Sequence, residues 1–239
     1  MNIRPYIVLN DVSSLSIKGL IISTLPPIRK PKIRTQIEEI DGRDGDIVTE
    51  LGFAAYDKPI EIGLSYDYDV DDIIEFFNSK GKVVFSNEPD KYYNYAIYDQ
   101  IDFEKLIRFK TATVNLHVQP FKYSDVEGIK TYNFTSALSG SFQIRNNGNY
   151  FSKPIITITG SGTVNLSLNG NQIFILDLSS IRTIIIDVAA MNAYGTDGTL
   201  KNRFVIGEYD DFSLKAGNNI VEFTGSVSQV QIKSYSRWV

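Results

Sequence analysis

Four aspartates, Asp67, Asp69, Asp71 and Asp72, include the first, third and fifth positions of a calcium-binding loop, where carboxylate oxygens would surround a hard cation. The rest of that pattern fails. Its sixth position, a turn glycine, is Asp72, and its twelfth, a bidentate glutamate, is Asn78. Helix capping and first-turn charge explain these acids better. The pairs Glu38–Asp41 and Asp44–Asp46 have the composition of a glycosidase site, which sets two carboxyl groups about 5 to 9 Å apart across a sugar. In a chain with 28 acids, such proximity arises by chance. His117 is the single histidine and there is no cysteine, so thiolate nucleophiles, cysteine zinc sites and multi-histidine metal sites are excluded within one chain. We assign no catalytic, cofactor-binding or metal-binding residue and expect no enzyme. Tyr92, Tyr93, Tyr95 and Tyr98, with Trp238, suit an aromatic sugar platform, a subunit contact or plain cross-strand packing.

The most unusual stretch is Arg34 to Asp46, where strand-like alternation runs into Asp41-Gly42-Arg43-Asp44-Gly45-Asp46. Asp-Gly and Gly-Asp pairs supply the positive φ angles of tight reversals, so this segment predicts a hairpin. Its second strand is either Ile47–Leu51 or Pro59–Leu64. Before it, Leu25-Pro26-Pro27-Ile28-Arg29-Lys30-Pro31 is too rich in proline for a sheet interior and reads as an extended connector. Ile3–Leu9 and Leu15–Ile22 predict an opening hairpin. One short helix is expected, capped by Asp69 or Asp71, with Val70, Ile73, Ile74 and Phe77 on its apolar face and Gly81 at its end. Lys82–Ser86, Tyr92–Tyr98 and Phe103–Pro120 predict strands. In the last of these, Ala112, Val114, Leu116 and Val118 face a core and Thr113, Asn115, His117 and Gln119 face away.

Beyond about Tyr123 charge thins and Ser, Thr, Asn and Gly take over, which predicts two domains, 1–130 and 131–239. The second is all strand and turn: Val164–Leu168 and Ile173–Leu178 around Asn169-Gly170, then Ile181–Val188, a polar loop from about Ala190 to Asn202, and two strands at Ile220–Phe223 and Val227–Tyr235. Short strands at this spacing predict a β-sandwich. The net charge of −4 argues against sequence-specific nucleic-acid binding. The amino terminus lacks a signal-peptide pattern and no apolar run is long enough to insert in a membrane, so a soluble chain made in the cytoplasm is expected.

The order of these features resembles the distal tail proteins of long-tailed bacteriophages and prophages. The resemblance is carried by Leu25-Pro26-Pro27, the Asp41–Gly45 turn before Lys58-Pro59-Ile60-Glu61-Ile62, the helix at Val70–Ser79, Lys82-Val83-Val84-Phe85 before Tyr92–Tyr98, and Leu214–Ile220 before Arg237-Trp238. It implies a mainly β chain: an N-terminal β-sandwich with one short α-helix and a C-terminal galectin-like β-sandwich. It also implies a homohexameric ring at the virion tail tip, joining the tail tube protein to tail-associated baseplate or receptor-binding proteins. The ring would leave a channel for the tape measure protein and DNA, to which a net acidic wall would not stick. Within this frame Leu25, Pro26, Pro27, Arg34, Glu38, Asp41, Gly42, Arg43, Asp44 and Gly45 are candidate oligomer contacts. The loop residues Tyr194, Gly195, Asp197 and Lys201 are candidates for partner binding. The rival reading is a carbohydrate-binding adhesin module that stacks Tyr194, Tyr209 or Trp238 on cell-wall sugars.

Overall fold

Alternating burial along paired strands builds both halves of this chain. The computed structural model describes residues 4–239, apart from the side chains of 135–137. It is mainly β, of β-sandwich type, and divides into one compact unit that ends at Asp125 and takes in Val239, and a second from Val126 to Trp238.

The first unit contains β1 (Ile7–Leu9), β2 (Val12–Ser13), β3 (Leu20–Thr24), β4 (Ile33–Glu39), β5 (Asp46–Phe53), β6 (Tyr56–Leu64), α1 (Val70–Phe77), β7 (Lys80–Phe85), β8 (Lys91–Ala96), α2 (Phe103–Phe109) and β9 (Thr111–Ser124). Its main sheet runs β2-β1-β7-β8-β9-β6-β3, while β4 and β5 form a sheet of their own. Ala112, Val114, Leu116 and Val118 of β9 are buried, as their spacing requires, and pack with Ile60 and Ile62 of β6 and Ile73 and Phe77 of α1. Asp69 caps α1, its carboxylate accepting from the Asp71 and Asp72 amides at 3.0 and 3.4 Å.

Several expectations are corrected. Strand β3 pairs with β6, and β1 turns back on the two-residue β2, so the opening hairpin does not form; its residues before Arg4 lie outside the described ones. The buried face of α1 is Ile73, Phe76 and Phe77, with Ile74 38% exposed. Helix α1 ends at Asn78, whose amide donates to Ile74 and Glu75 carbonyls, and Gly81 instead lies in β7, where a Cβ would meet the Asn10 side chain. A second helix, α2, replaces the start of the strand expected from Phe103. Asp102 caps it through the Lys105 amide at 2.8 Å, Leu106 is its buried anchor, and Lys110 closes it in the left-handed region.

The second unit contains β10 (Lys130–Asn146), β11 (Ile155–Leu168), β12 (Asn171–Asp177), β13 (Thr183–Asp187), β14 (Asn192–Tyr194), β15 (Val205–Ile206) and β16 (Gly217–Lys233). Its sheet runs β10-β16-β11-β12-β15, with β13 on β11 and β14 on β13. The two strands expected over 220–235 are one strand, β16, which crosses Gly225 at φ +108°, where the Thr163 carbonyl leaves no room for a side chain. The loop expected from Ala190 contains β14. The Leu214–Ile220 stretch is organised by buried Asn219. Its amide nitrogen donates to the Lys215 and Gly217 carbonyls at 2.8 and 3.1 Å, and its oxygen accepts from the Lys215 amide at 3.0 Å and the Asn169 side chain at 3.1 Å. Asn169 in turn holds the Ile220 amide at 2.9 Å, joining the β11–β12 turn to the start of β16.

The Asn219 side chain makes four partly buried hydrogen bonds, each contributing about 1 kcal/mol net. Asn219→Ala should therefore destabilise the second unit by on the order of 3 kcal/mol, read as a lower urea midpoint for the unfolding step that reports on that unit.

Candidate assembly surface

The hairpin read from the sequence is present, with β5 rather than β6 as its second strand. Gln36 faces Thr49, Ile37 faces Val48 and Glu39 faces Asp46. Its turn is closed by the Arg43 amide on the Ile40 carbonyl at 3.1 Å, and Gly42 and Gly45 hold φ near +80°, where a side chain would be strained. Between Thr35–Glu50 and Ile33–Phe53 the β5 strand carries one extra residue, a bulge at which Gly52 takes φ +94° and the Arg34 guanidinium donates to the Leu51 carbonyl at 3.0 Å. Such a bulge bends and twists a ribbon. Arg34, Glu38, Asp41, Gly42, Arg43, Asp44 and Gly45 are all exposed. So are apolar residues: Ile37 is 57% exposed, Val48 55% and Leu51 50%. A two-stranded ribbon is marginal in water by itself, and this one presents an apolar cross-strand pair to solvent.

The base of the hairpin is anchored firmly. Phe53 meets Phe121 of β9 edge to face at 5.5 Å, and the Ala54 amide donates to the Lys32 carbonyl at 2.8 Å. The proline-rich connector before it contains no strand. Leu25 packs against the core, Pro26 and Pro31 are buried, and Pro27 is exposed. Of the three connector residues predicted as oligomer contacts, Leu25 and Pro26 are thus engaged within the unit. Beneath the connector lies Lys58, which shares the inward face of β6 with Ile60 and Ile62 and is only 3% exposed. Its ammonium donates to the Pro27 carbonyl at 3.2 Å and sits 4.8, 5.3 and 5.6 Å from the ring centres of Tyr93, Phe85 and Tyr56. The Tyr56 hydroxyl reaches the Arg29 carbonyl at 3.4 Å. Beside this cage, Glu88 pairs with Lys122 and accepts the Tyr93 hydroxyl at 3.3 Å. Burial pulls the Lys58 ammonium from an ordinary value of 10.5 down to about 8, the Glu88 carboxylate partly opposing it. Burial also pushes the Tyr56 and Tyr93 phenols up, so both stay neutral across this range.

The remaining candidates resolve into structure. Among the described residues no cluster of three His, Cys, Asp or Glu side chains is placed to hold a metal. Asp69 is spent on the α1 cap. His117 is paired: its Nδ1 lies 2.7 Å from Asp57, the residue opposite it in the β6–β9 register, and its ring tilts against Tyr98 at 5.5 Å. Tyr93 and Tyr95 are buried, Tyr92 stacks on Tyr123 at 5.5 Å, and Tyr98 is exposed. In the second unit the predicted partner loop is a tight turn. Asp197 accepts from the Thr199 amide and hydroxyl at 3.1 and 2.7 Å, which holds its carboxyl below the usual range, and the Gly195 amide donates to the Thr199 carbonyl at 2.9 Å. Tyr194 bridges to Leu200, the Lys201 amide binds the Ala193 carbonyl, and Gly195 is buried, so Asp197 alone of the four is fully presented. The Tyr209 ring packs edge to face on Phe174 at 5.3 Å rather than offering a face for stacking.

Sequence reasoning missed Lys58, although its signal was available: Lys58, Ile60, Ile62 and Leu64 share one strand parity, which puts a lysine on a core face. The folded chain disfavours the charged lysine, so its contribution to stability is present above pH 10.5 and lost as pH falls through about 8. The stability of the first unit relative to a Lys58→Met variant should rise across that window by at most about 3 kcal/mol. Chemical denaturation of both proteins from pH 7 to 10.5 measures the difference, and a flat difference contradicts it.

No protein-family model and no curated protein matches this chain. Among solved structures it is similar to the SPP1 Dit (gp 19.1) protein, described as a paradigm of the hub adsorption apparatus in phages infecting Gram-positive bacteria. That likeness has a TM-score of 0.66 at 15% identity over 96% of this chain and 98% of the other. It is similar also to a chain of the phage P2 baseplate in its activated conformation with Ca, with a TM-score of 0.53 at 11% identity over 97% of each chain. At these identities the likeness is one of fold, and it extends over both units.

Proposed function

We propose that this chain is a non-enzymatic structural hub of a phage tail tip. Its copies close into a homohexameric ring that joins the tail tube protein to baseplate or receptor-binding proteins. The ring leaves a channel for the tape measure protein and DNA. The observation that carries this reading is the end-to-end fold likeness to a phage hub protein and a phage baseplate chain, which takes in both units rather than one common β domain. The first unit, in the predicted domain 1–130, is the ring former. The second, in domain 131–239, is a galectin-like platform for tail-tip partners, with the Tyr194–Lys201 turn as one contact.

A closed ring needs two different, complementary surfaces on each copy. The β4–β5 hairpin supplies one. It carries six acids, Glu38, Glu39, Asp41, Asp44, Asp46 and Glu50, against Arg34 and Arg43, and it exposes Ile37 and Val48. The connector supplies exposed charge of the opposite sign in Arg29, Lys30 and Lys32, next to exposed Pro27. A neighbouring copy that covered Ile37 and Val48 would also relieve the marginal stability of an isolated ribbon.

Native mass spectrometry of the purified chain should give a species of six times the 26.9 kDa protomer mass. Replacing 35–51 by a two-residue turn should leave a folded monomer, and Asp44→Arg, which sets like charge against the neighbour's Arg29–Lys32 segment, should raise the concentration at which rings form about tenfold, the effect of about 1.4 kcal/mol per contact. A wild-type chain that stays monomeric at high concentration, or rings that persist without the hairpin, would overturn the reading.

A further inference from the structure

A lysine on the core face of a strand is an expensive way to fill space, because its ammonium loses its hydration there. Here its contacts all converge on one task. Lys58 lies immediately after the hairpin's return to the sheet, and its donor reaches the connector that leads into the hairpin, 31 residues earlier in sequence. The groups around it come from its own strand and several others: Tyr56 of β6, Phe85 of β7, Tyr93 of β8, Glu88 of the β7–β8 turn, Lys122 of β9 and Arg29 of the connector. The aromatic faces stabilise the cation electrostatically, and the Pro27 carbonyl gains a charged donor. That carbonyl belongs to a proline-rich segment whose prolines carry no amide of their own to anchor it.

We propose that Lys58 is the positioning residue of the β4–β5 hairpin: caged by Tyr56, Phe85 and Tyr93, its ammonium holds the connector at Pro27 and so sets the direction in which the hairpin leaves the first unit. Lys58 contacts no partner in this scheme and acts through the connector. Its consequence for assembly rests on the ring reading above; its effect on the hairpin does not. Because the cation itself is the clamp, the hold weakens as pH rises past the point where Lys58 loses its proton.

The chain has no cysteine, so introduced thiols can be labelled cleanly. Spin labels on Thr49→Cys in the hairpin and Thr113→Cys on the exposed face of β9, in full-length chain diluted with unlabelled chain, report the hairpin's direction as a distance distribution. At pH 7 the distribution should be narrow with Lys58 and at least twice as broad in Lys58→Met. Trypsin cleavage after Arg29 and Lys32 should accelerate about tenfold in that variant, while its melting temperature stays equal to or above wild type. A merely structural residue would lower the melting temperature instead. With Lys58 present, the distribution should also broaden reversibly between pH 7 and 9.5, an arm that does not depend on the variant folding. An unchanged distribution in Lys58→Met at pH 7, or an unchanged one between the two pH values with Lys58 present, would overturn the proposal. If these differences appear while every sample stays monomeric, the ring reading fails and the positioning role stands. If rings form equally well with a broadened hairpin, the link to assembly is overturned.

Discussion

The register of β6 against β9 is the constraint from which the first unit follows. Setting Lys58 opposite Leu116, Ile60 opposite Val114 and Ile62 opposite Ala112 sends all six side chains inward, and a slip of one residue would turn them out. The same register places Asp57 against His117 on the outer face, which makes the lone histidine a cross-strand partner rather than a free base. It also fixes the point at which the hairpin rejoins the sheet, since β6 begins three residues after β5 ends. The buried lysine is then carried under the connector by the same pairing that builds the core.

Against that core, the hairpin is conspicuous for what it leaves uncovered. Its turn is fully specified by Gly42 and Gly45, its bulge by Gly52, and its base by Phe53 on Phe121, yet Ile37 and Val48 stand in solvent. We propose that this uncovered face is where a neighbouring copy sits. The second unit differs: its long strands β10, β11 and β16 bury a large apolar cluster, and its loops are tied down by asparagine and aspartate hydrogen bonds.

Much of this was legible in the sequence because period-two burial is a strong signal when strands are paired on a core. The β9 face, the Asn169-Gly170 turn and the hairpin turn followed from side-chain parity and from residues that tolerate positive φ. Helix α2 was not legible: seven residues from Phe103 to Phe109 give too few turns for a helical period, and their aromatic content favours strand. Strand β16 looked like two because Gly225 normally punctuates, whereas here close approach to Thr163 requires it within the strand. Residues Leu25 and Pro26, read as contacts, are engaged in the protomer's own packing, which composition alone does not reveal. Which surface meets another molecule is a property of shape and of the partner, and parity does not encode it.

We propose that the β4–β5 hairpin is the assembly element. A reconstruction by electron cryomicroscopy of the assembled chain, alone or in a tail tip, tests it most directly. It should show a closed ring in which each β4–β5 hairpin lies on the neighbouring copy, with Ile37 and Val48 covered and the acidic turn near the Arg29–Lys32 segment. An assembly whose contacts leave both faces of every hairpin in solvent would contradict it.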